Sequence, residues 1–176
     1  MKQSFSLFDY VTGTCSLGYI LVAKKQHGIS AILLGDKKDL LIKEFYKNFS
    51  NAQLVNREAS MMDVLARVIA LVENPTINCT MALDIHGTFF QKRVWQALLE
   101  IPPGATACYS DIAKRIGAPT AVRAVAKACC ANCIAVAVPC HRIIRKNGDL
   151  SGYRWGIDRK RCLLQREAKH FTYDTL

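Results

Sequence analysis

The segment Ile-Ala-Val-Ala-Val-Pro-Cys-His-Arg (134–142) places a thiol next to an imidazole at the end of an apolar run. Residues 134–138 predict a short buried strand, and Pro139 should end it because proline cannot donate to a β-ladder. Cys140 would then lie where a strand breaks, held rigidly and facing a pocket. A cysteine reacts as its thiolate, and a neighbouring histidine can take its proton or lower its pKa. The segment predicts a reactive thiol; the alternative is a buried structural cysteine beside a surface histidine.

The charge of the chain is concentrated in its second half. Residues 1–90 hold nine Lys or Arg and eight Asp or Glu, whereas residues 91–176 hold fifteen and six, so the halves carry +1 and +9 of the total +10. Such an asymmetry is typical of a protein that binds a polyanion, most simply DNA or RNA. No run of eighteen apolar residues and no signal peptide is present. We expect a soluble, cytoplasmic protein with access to the nucleoid and no membrane partner.

The eight cysteines do not form a disulfide framework, which a cytosolic chain of 176 residues does not need. Cys130 and Cys133 form a C-x-x-C pair, but no second pair follows at zinc-ligand spacing. Four N-terminal residues could gather a metal only if the fold brought them together: Cys15, His27, Cys79 and His86. We predict no metal and no cofactor.

The first half predicts strands followed by helices. Residues 5–11, 17–23 and 28–34 are β-rich runs separated by turn residues, as in an antiparallel meander. Residues 37–49 and 57–74 have apolar side chains at helical spacing, and residues 81–85 predict a further strand. Nothing in this half indicates chemistry, so its predicted role is to support the second half.

The second half predicts a helix-turn-helix. An amphipathic helix covers residues 89–101, Ser110 is a candidate N-cap for a short helix to about Ile116, and a second helix covers residues 120–131. That second helix is rich in alanine, so it could approach a widened minor groove closely, with Arg123 as its one long cation in the first turn. The alternative is an alanine-rich helix packed against its neighbours, with Arg123 solvated.

Several motifs in order give the chain a family resemblance. They are Ile-Pro-Pro-Gly-Ala-Thr-Ala-Cys-Tyr-Ser-Asp-Ile-Ala (101–113), Ala-Val-Arg-Ala-Val-Ala (121–126), Asn132, Val-Pro-Cys-His-Arg-Ile-Ile-Arg (138–145), Gly-Asp-Leu-Ser-Gly-Tyr-Arg-Trp-Gly (148–156) and Lys-Arg-Cys-Leu-Leu-Gln-Arg-Glu (160–167). The chain resembles the O6-alkylguanine-DNA alkyltransferases, most closely the C-terminal part of bacterial Ada proteins. The similarity is dense over residues 86–168 and thinner before them.

The resemblance implies direct reversal of DNA damage. An alkyl group on guanine O6, or less readily on thymine O4, would move to the sulfur of Cys140, and each molecule would act once. His141, oriented by Glu167, would take the thiol proton through a water, and Tyr109 would stabilise the anion that develops on the purine. Asn132 would brace the active-site turn.

The resemblance also assigns the surfaces around the thiol. Ile143, Tyr153, Arg154 and Trp155 would form the walls of the base and alkyl pocket. Arg123 would enter the base stack when the damaged base leaves it. The implied DNA-contacting residues are Tyr109, Ser110, Thr120, Ala121, Arg123, Ala124 and Lys127.

The predicted fold class is α+β. Residues 1–85 would form an N-terminal antiparallel-sheet α/β domain of RNase H-like type, and residues 86–176 a C-terminal, mostly helical, winged helix-turn-helix domain. The expected partner of this monomer is double-stranded DNA carrying O6-alkylguanine or O4-alkylthymine.

The sequence differs from the family pattern at three points. Trp155 is bulky where some members have glycine, so we expect a tight pocket that disfavours large alkyl groups and free O6-benzylguanine. Lys25 and Ser30 occupy positions where some animal members hold zinc ligands. The zinc-binding phosphotriester-repair domain of full-length Ada proteins has no counterpart here, so transcriptional activation is not expected.

Three other classes of protein compete with the alkyltransferase. Alkyltransferase-like proteins flip damaged bases but lack the cysteine, which Cys140 argues against. A helix-turn-helix regulator without chemistry would not need the Pro-Cys-His-Arg motif. A cysteine hydrolase would use Cys140, His141 and Glu167 but leaves the DNA-binding helices unexplained.

Overall fold

The N-terminal half is built on a mixed four-stranded sheet. The structure is a computed structural model that describes residues 5–173, with side chains described through Lys169. Strands β1 (Ser6–Cys15), β2 (Gly18–Lys25) and β3 (Gly28–Gly35) form the predicted antiparallel meander, with Val11 opposite Val22 and Val22 opposite Ile32. A fourth strand, β4 (Ala52–Asn56), pairs parallel with β1, so the sheet order is β3-β2-β1-β4. The prediction of a purely antiparallel sheet was therefore wrong.

Two helices cover this sheet. Helix α1 (Lys38–Asn48) buries Leu41 and Phe45, and the Phe45 ring meets that of Phe8 edge-on at 5.2 Å. Helix α2 (Glu58–Glu73) buries an apolar stripe at helical spacing, formed by Met61, Leu65, Val68, Leu71 and Val72. Both helices were predicted, because a one-sided apolar pattern needs no tertiary information to be recognised.

The second half is mostly helical. Helix α3 (Phe89–Leu99) begins with a capping box between Thr88 and Gln91 and buries Trp95, whose indole nitrogen donates to the carbonyl of Ala128 at 2.9 Å. Helices α4 (Tyr109–Arg115) and α5 (Val122–Cys130) pack on each other and on α3. Short parallel strands β5 (Ala107–Cys108) and β6 (Ile143–Ile144) pair beside α4, and helix α6 (Ile157–Tyr173) ends the described chain.

Two predicted strands are single bridges instead. Leu83 forms one isolated parallel bridge with Ile29, and Ile134 forms one with Ile32. After Ile134 the chain turns at once, because Val136 adopts a positive φ of 64°. That conformation is rare for a β-branched residue and ends any strand. Residues 81–85 and 134–138 were therefore wrongly predicted as strands.

The helix boundaries around the turn also differ from the prediction. Ser110 lies inside the first turn of α4 rather than at its N-cap; Cys108 is the cap residue, and its backbone N–H donates to the carboxylate of Asp111 at 2.9 Å. The second helix starts at Val122, two residues later than predicted, because Pro119 and Thr120 form a turn. Among residues 5–173, no helix is long and apolar enough to cross a bilayer.

The two halves are joined through the edge of the sheet. Ile32 donates to the carbonyl of Cys133 and accepts from the N–H of Ala135, both at 2.9 Å. Its side chain is fully buried. The backbone that leads to Cys140 is thus hydrogen-bonded to β3, and the position of the thiol depends on the N-terminal sheet.

We expect Ile32→Ala to lower the free energy of unfolding by about 2–5 kcal/mol, because the change leaves a cavity in the shared core. Urea unfolding monitored by tryptophan fluorescence measures this effect. The exposed Leu40→Ala is the matched control, expected to change stability by no more than about 0.5 kcal/mol. If both substitutions lower the free energy of unfolding equally, Ile32 does not stabilise the contact between the two halves.

Candidate active site

Cys140 begins a single 3-10 turn, Cys140–Arg142, directly after the strained turn at Val136. Its thiol is buried, with 5% of the residue exposed. The side-chain amide of Asn132 donates to Sγ at 3.2 Å and to the carbonyl of Val138 at 3.0 Å, while its oxygen accepts from the N–H of Ile134 at 2.9 Å. Asn132 therefore holds both sides of the turn that presents the sulfur.

The environment keeps the thiol protonated. Burial raises the pKa of Cys140 to about 11, although the hydrogen bond from Asn132 and the charge of Lys160 act in the opposite direction. A thiolate at neutral pH therefore requires a base that removes the proton as the reaction proceeds.

The imidazole of the next residue, His141, is held in one orientation by a carboxylate. Its Nε2 lies 2.8 Å from Oε1 of Glu167 on α6, and both side chains are buried. Because an ionised carboxylate only accepts, Nε2 carries the proton and Nδ1 is the free acceptor of the ring. Nδ1 is buried without a hydrogen-bond partner among the described residues. Burial lowers the pKa of His141, although the hydrogen bond and charge of Glu167 act to raise it. The ring is therefore neutral at pH 7.

Glu167 is held by more donors than His141 alone. Arg142 reaches it through Nε and Nη2, both at 3.0 Å to Oε1, and the backbone N–H of Gly104 donates to Oε2 at 3.0 Å. Although burial opposes ionisation, these hydrogen bonds from His141 and Arg142 keep the pKa of Glu167 below its usual value. The remaining Arg142 donors bind the carbonyls of Ile101 and Pro75.

A second hydrogen-bonded chain runs from Tyr109 to a buried lysine. The Tyr109 hydroxyl donates to Oγ of Ser151 at 2.9 Å, and Lys160 Nζ donates to the same Oγ at 2.8 Å. Lys160 is fully buried and also binds the carbonyl of Ile143. Burial lowers its pKa to about 8, so it remains charged at neutral pH, and burial also raises the pKa of Tyr109.

The thiol faces a cavity of only about 10 Å³, room for about one water molecule. Seven residues line it: Tyr109, Cys129, Cys130, Cys140, Gly152, Tyr153 and Arg154. Tyr153 presents a buried hydroxyl without a partner among the described residues, and its ring packs edge-on against those of His141 and Trp155.

The structure brings several predicted site residues together. Tyr109, Cys140, Tyr153 and Arg154 line the cavity, Asn132 binds the Cys140 sulfur, and Glu167 binds the adjacent His141. Ile143 and Trp155 are buried next to it but do not line the cavity as described.

The predicted DNA-contacting residues lie on α4, α5 and the turn between them. Thr120, Arg123, Ala124 and Lys127 are exposed, whereas Tyr109, Ser110 and Ala121 are half-buried. Further exposed cations flank them: Lys114 and Arg115 on α4, and Arg145 and Lys146 after β6. The same two helices contribute Tyr109, Cys129 and Cys130 to the lining of the Cys140 cavity.

Three residues of the site were not singled out from the sequence: Arg142, Ser151 and Lys160. Arg142 follows His141 directly, which could have identified it. Lys160 precedes Glu167 by seven residues, so two helical turns place both on one face of α6. Ser151 carries no sequence pattern, since its role depends on the packing of Tyr109, Ile143 and Lys160 around its hydroxyl.

The four candidate metal ligands of the N-terminal half are not gathered. Among residues 5–173, no group of three or more His, Cys, Asp or Glu side chains lies close enough to hold a metal ion. His86 instead contacts Asp84 at 2.7 Å, and Asp84 accepts from Ser30.

The fold and the site together define a protein with a buried cysteine–histidine–glutamate group beside two packed helices, α4 and α5, that carry exposed cations. Residues 89–169 match the family described as 6-O-methylguanine DNA methyltransferase, DNA binding domain. The inducible methylated-DNA–protein-cysteine methyltransferase of Bacillus subtilis is 43% identical over 123 residues, covering 70% of this chain and 69% of that protein. The chain belongs to the methylated-DNA–protein-cysteine methyltransferase family.

Two further comparisons place the chain within that family. The bifunctional transcriptional activator/DNA repair enzyme Ada of Escherichia coli is 47% identical over 161 residues, which are 92% of this chain and 46% of Ada. The chain thus spans about half the length of the Ada protein. The crystal structure of Mycobacterium tuberculosis OGT in complex with DNA matches with a TM-score of 0.77 and 33% identity, over 92% of this chain and 93% of that one.

We expect the free energy of unfolding to fall as the pH drops below 6.5, the ordinary pKa of histidine. The unfolded chain binds a proton at His141 from that pH downward, whereas the folded chain resists it because the folded pKa is lowered. Glu167 adds a second loss only below pH 4.5, since its folded pKa is also lowered. Urea unfolding at pH 7.5, 6.5 and 5.5 measures the first loss, and His141→Gln should remove it. An unchanged slope in that variant would show that another group is responsible.

Proposed function

We propose that this protein repairs alkylated DNA by direct reversal. It transfers a methyl or other alkyl group from guanine O6, and from thymine O4, to Sγ of Cys140 in a single, irreversible turnover. The observation that carries the proposal is the buried thiol braced by Asn132 beside an imidazole whose Nδ1 is free to accept a proton. Family membership and the basic helix-turn-helix point to the same substrate.

The bond changes follow from this arrangement. His141 Nδ1 takes the thiol proton, directly or through one water molecule, and Sγ attacks the alkyl carbon. The S–C bond forms as the C–O6 bond breaks, and the electron pair of that bond passes to the purine. The Tyr109 hydroxyl, held near the cavity by Ser151, turns to donate to the purine anion. Glu167 stabilises the imidazolium that results.

The transfer consumes the protein because the alkyl group is then held in a thioether, and the thiolate of Cys140 is a poor leaving group from an alkyl carbon. No described side chain is placed to hydrolyse an S–C bond, and the buried site excludes a second nucleophile. Cys140 is therefore a reagent used once, and the stoichiometry cannot exceed one alkyl group per chain.

DNA would be bound through the surface of α4 and α5. We place Tyr109, Ser110, Thr120, Ala121, Arg123, Ala124 and Lys127 against the duplex, with Arg123 entering the stack as the damaged base leaves it. Flipping costs about a few kcal/mol and is easiest for a mispaired base. The exposed side chain of Arg123 in the first turn of α5 supports this assignment. Tyr153, Arg154, Ile143 and Trp155 would form the walls of the pocket once it opens.

We propose the finer description of the fold in the same way. The mixed sheet of residues up to 85 is consistent with an RNase H-like domain, and α4, α5 and the β5–β6 pair with a winged helix-turn-helix domain over residues 86–176. A monomer working in the cytoplasm with access to the nucleoid fits these features. The relatives that the chain matches include bacterial Ada proteins.

We expect duplex DNA with a radiolabelled O6-methyl group to transfer at most one equivalent of label to the protein. Cys140→Ala should transfer none, because the variant keeps the fold but removes the acceptor. Denaturing gels and intact-protein mass spectrometry measure the transfer. Multiple turnovers, or label on the alanine variant, would refute the proposal.

We expect Arg123→Ala to slow transfer from duplex DNA by about tenfold or more, equivalent to about 1.4 kcal/mol of flipping cost, while reaction with a free O6-alkylguanine base is unchanged. Single-turnover rate constants for both substrates give the ratio. Arg115→Ala on α4 is the matched control: it removes an exposed cation and should weaken binding without changing the ratio. If both variants lower the ratio equally, Arg123 acts only as a charge.

A further inference from the structure

Arg154 ties the segment over the thiol to the N-terminal half of the molecule. Its Nε lies 2.8 Å from Oε1 of Glu44 on α1, and the two side chains are only 14% and 29% exposed. The partners are 110 residues apart in the sequence. The Arg154 guanidinium has several donors in a fixed plane, and the Glu44 carboxylate is largely buried. Their ion pair is therefore a specific contact rather than a mobile surface pair.

The same guanidinium holds the end of α5. Its Nη1 donates to the carbonyls of Cys130 at 3.3 Å and Asn132 at 3.2 Å, and lies 3.6 Å from Sγ of Cys133. Asn132 in turn holds the sulfur of Cys140. Arg154 therefore connects three bodies: α1, the end of the second helix of the helix-turn-helix, and the segment that carries Tyr153.

The cavity at Cys140 lies between the parts that Arg154 connects. Gly152, Tyr153 and Arg154 line it from the segment before α6, and Cys129 and Cys130 line it from the end of α5. A volume of about one water molecule cannot receive a purine with its alkyl group, so these walls must separate during the reaction. Separation requires the contacts of Arg154 with the Cys130 carbonyl or with Glu44 to lengthen. Gly152 and Gly156 flank the segment, and Gly156 has a φ of 98° that favours glycine.

We infer that Glu44 is a positioning residue which, through Arg154, limits how far the pocket opens and so selects small alkyl groups over large ones. The inference rests on the proposed function, because it concerns the same acceptor site. It places a specificity determinant in the half of the chain that carries no catalytic side chain. Glu44 anchors the guanidinium, the guanidinium anchors the Gly152–Arg154 wall, and that wall bounds the space beside Sγ.

The test compares two lesions in the same duplex sequence, O6-methylguanine and O6-benzylguanine, in single-turnover experiments. Glu44→Gln keeps the size of the side chain and removes its charge. We expect the ratio of the benzyl to the methyl rate constant to rise about threefold or more, the effect of losing one partly buried ion pair. A loss of stability alone would lower both rate constants together and leave the ratio unchanged, which would overturn the inference.

Glu73→Gln is the matched control. Glu73 pairs with Arg166 of α6 at 3.4 Å and so also joins the two halves, but it lies away from the cavity. This variant should leave the benzyl-to-methyl ratio at the wild-type value. An equal rise in both variants would show that any loosening between the halves widens the pocket, and would overturn the assignment to Glu44. Arg154→Lys keeps the charge but loses the planar set of guanidinium donors that bind Glu44 and the Cys130 carbonyl together. It should raise the benzyl-to-methyl ratio as Glu44→Gln does.

A measurement without DNA separates this inference from the proposed function. Carbamidomethylation of Cys140 by iodoacetamide in the folded protein, followed by peptide mass spectrometry, reports access to the thiol, with Cys162 as an internal reference. Glu44→Gln should accelerate labelling of Cys140 relative to Cys162. If the wild-type protein takes no alkyl group from either lesion, the proposed function is wrong. If Glu44→Gln leaves the ratio of Cys140 to Cys162 labelling unchanged, the inference about Glu44 is wrong, whatever the outcome with DNA.

Discussion

The buried carboxylate of Glu167 is the interaction on which the rest of the site depends. It accepts from the imidazole of His141, from two nitrogens of Arg142 and from the backbone of Gly104. These donors come from the 3-10 turn after Cys140 and from the loop that follows α3, while the acceptor comes from α6. One ionised group thereby fixes the histidine tautomer and joins three segments. Removing the carboxylate would leave the Arg142 cation buried without a counter-ion, which is strongly destabilising.

Burial sets the protonation states of the site. It raises the pKa of Cys140 to about 11, so the thiol is protonated at neutral pH. It also lowers the pKa of His141, so the adjacent imidazole is neutral. The buried ammonium of Lys160 supplies the only full positive charge hydrogen-bonded to the Ser151–Tyr109 chain among the described residues. The proposed transfer therefore starts from a neutral thiol and a neutral imidazole.

The N-terminal half supports the thiol although, among the described residues, none of its side chains lines the cavity at Cys140. Strand β3 hydrogen-bonds to the backbone before Cys140, and α1 holds Arg154 through Glu44. Under the proposed function, the exposed cations of α4 and α5 would bind DNA beside this cavity, and the walls of the cavity would limit what enters.

The sequence alone determined the elements with a local signature: the helices with one apolar face, the antiparallel meander and the Pro-Cys-His-Arg turn. It also indicated Cys140, His141, Glu167, Asn132, Tyr109 and Arg123 through motif resemblance. It could not show β4, whose parallel pairing with β1 joins residues as far apart in the sequence as Ser6 and Ala52. Nor could it show the reversal at Val136, because residues 134–138 are apolar and rich in β-branched side chains, as in a strand.

Only the tertiary structure decided the surroundings of the thiol. Lys160 joining Ser151, Arg142 joining Glu167 and Glu44 joining Arg154 each link segments that are distant in the chain or that carry no pattern of their own. Local pattern reports which face of an element is apolar, because burial of that face is a local requirement. Which polar groups meet inside is set by how the elements pack, since a buried charge is tolerated only where the whole fold supplies its partners.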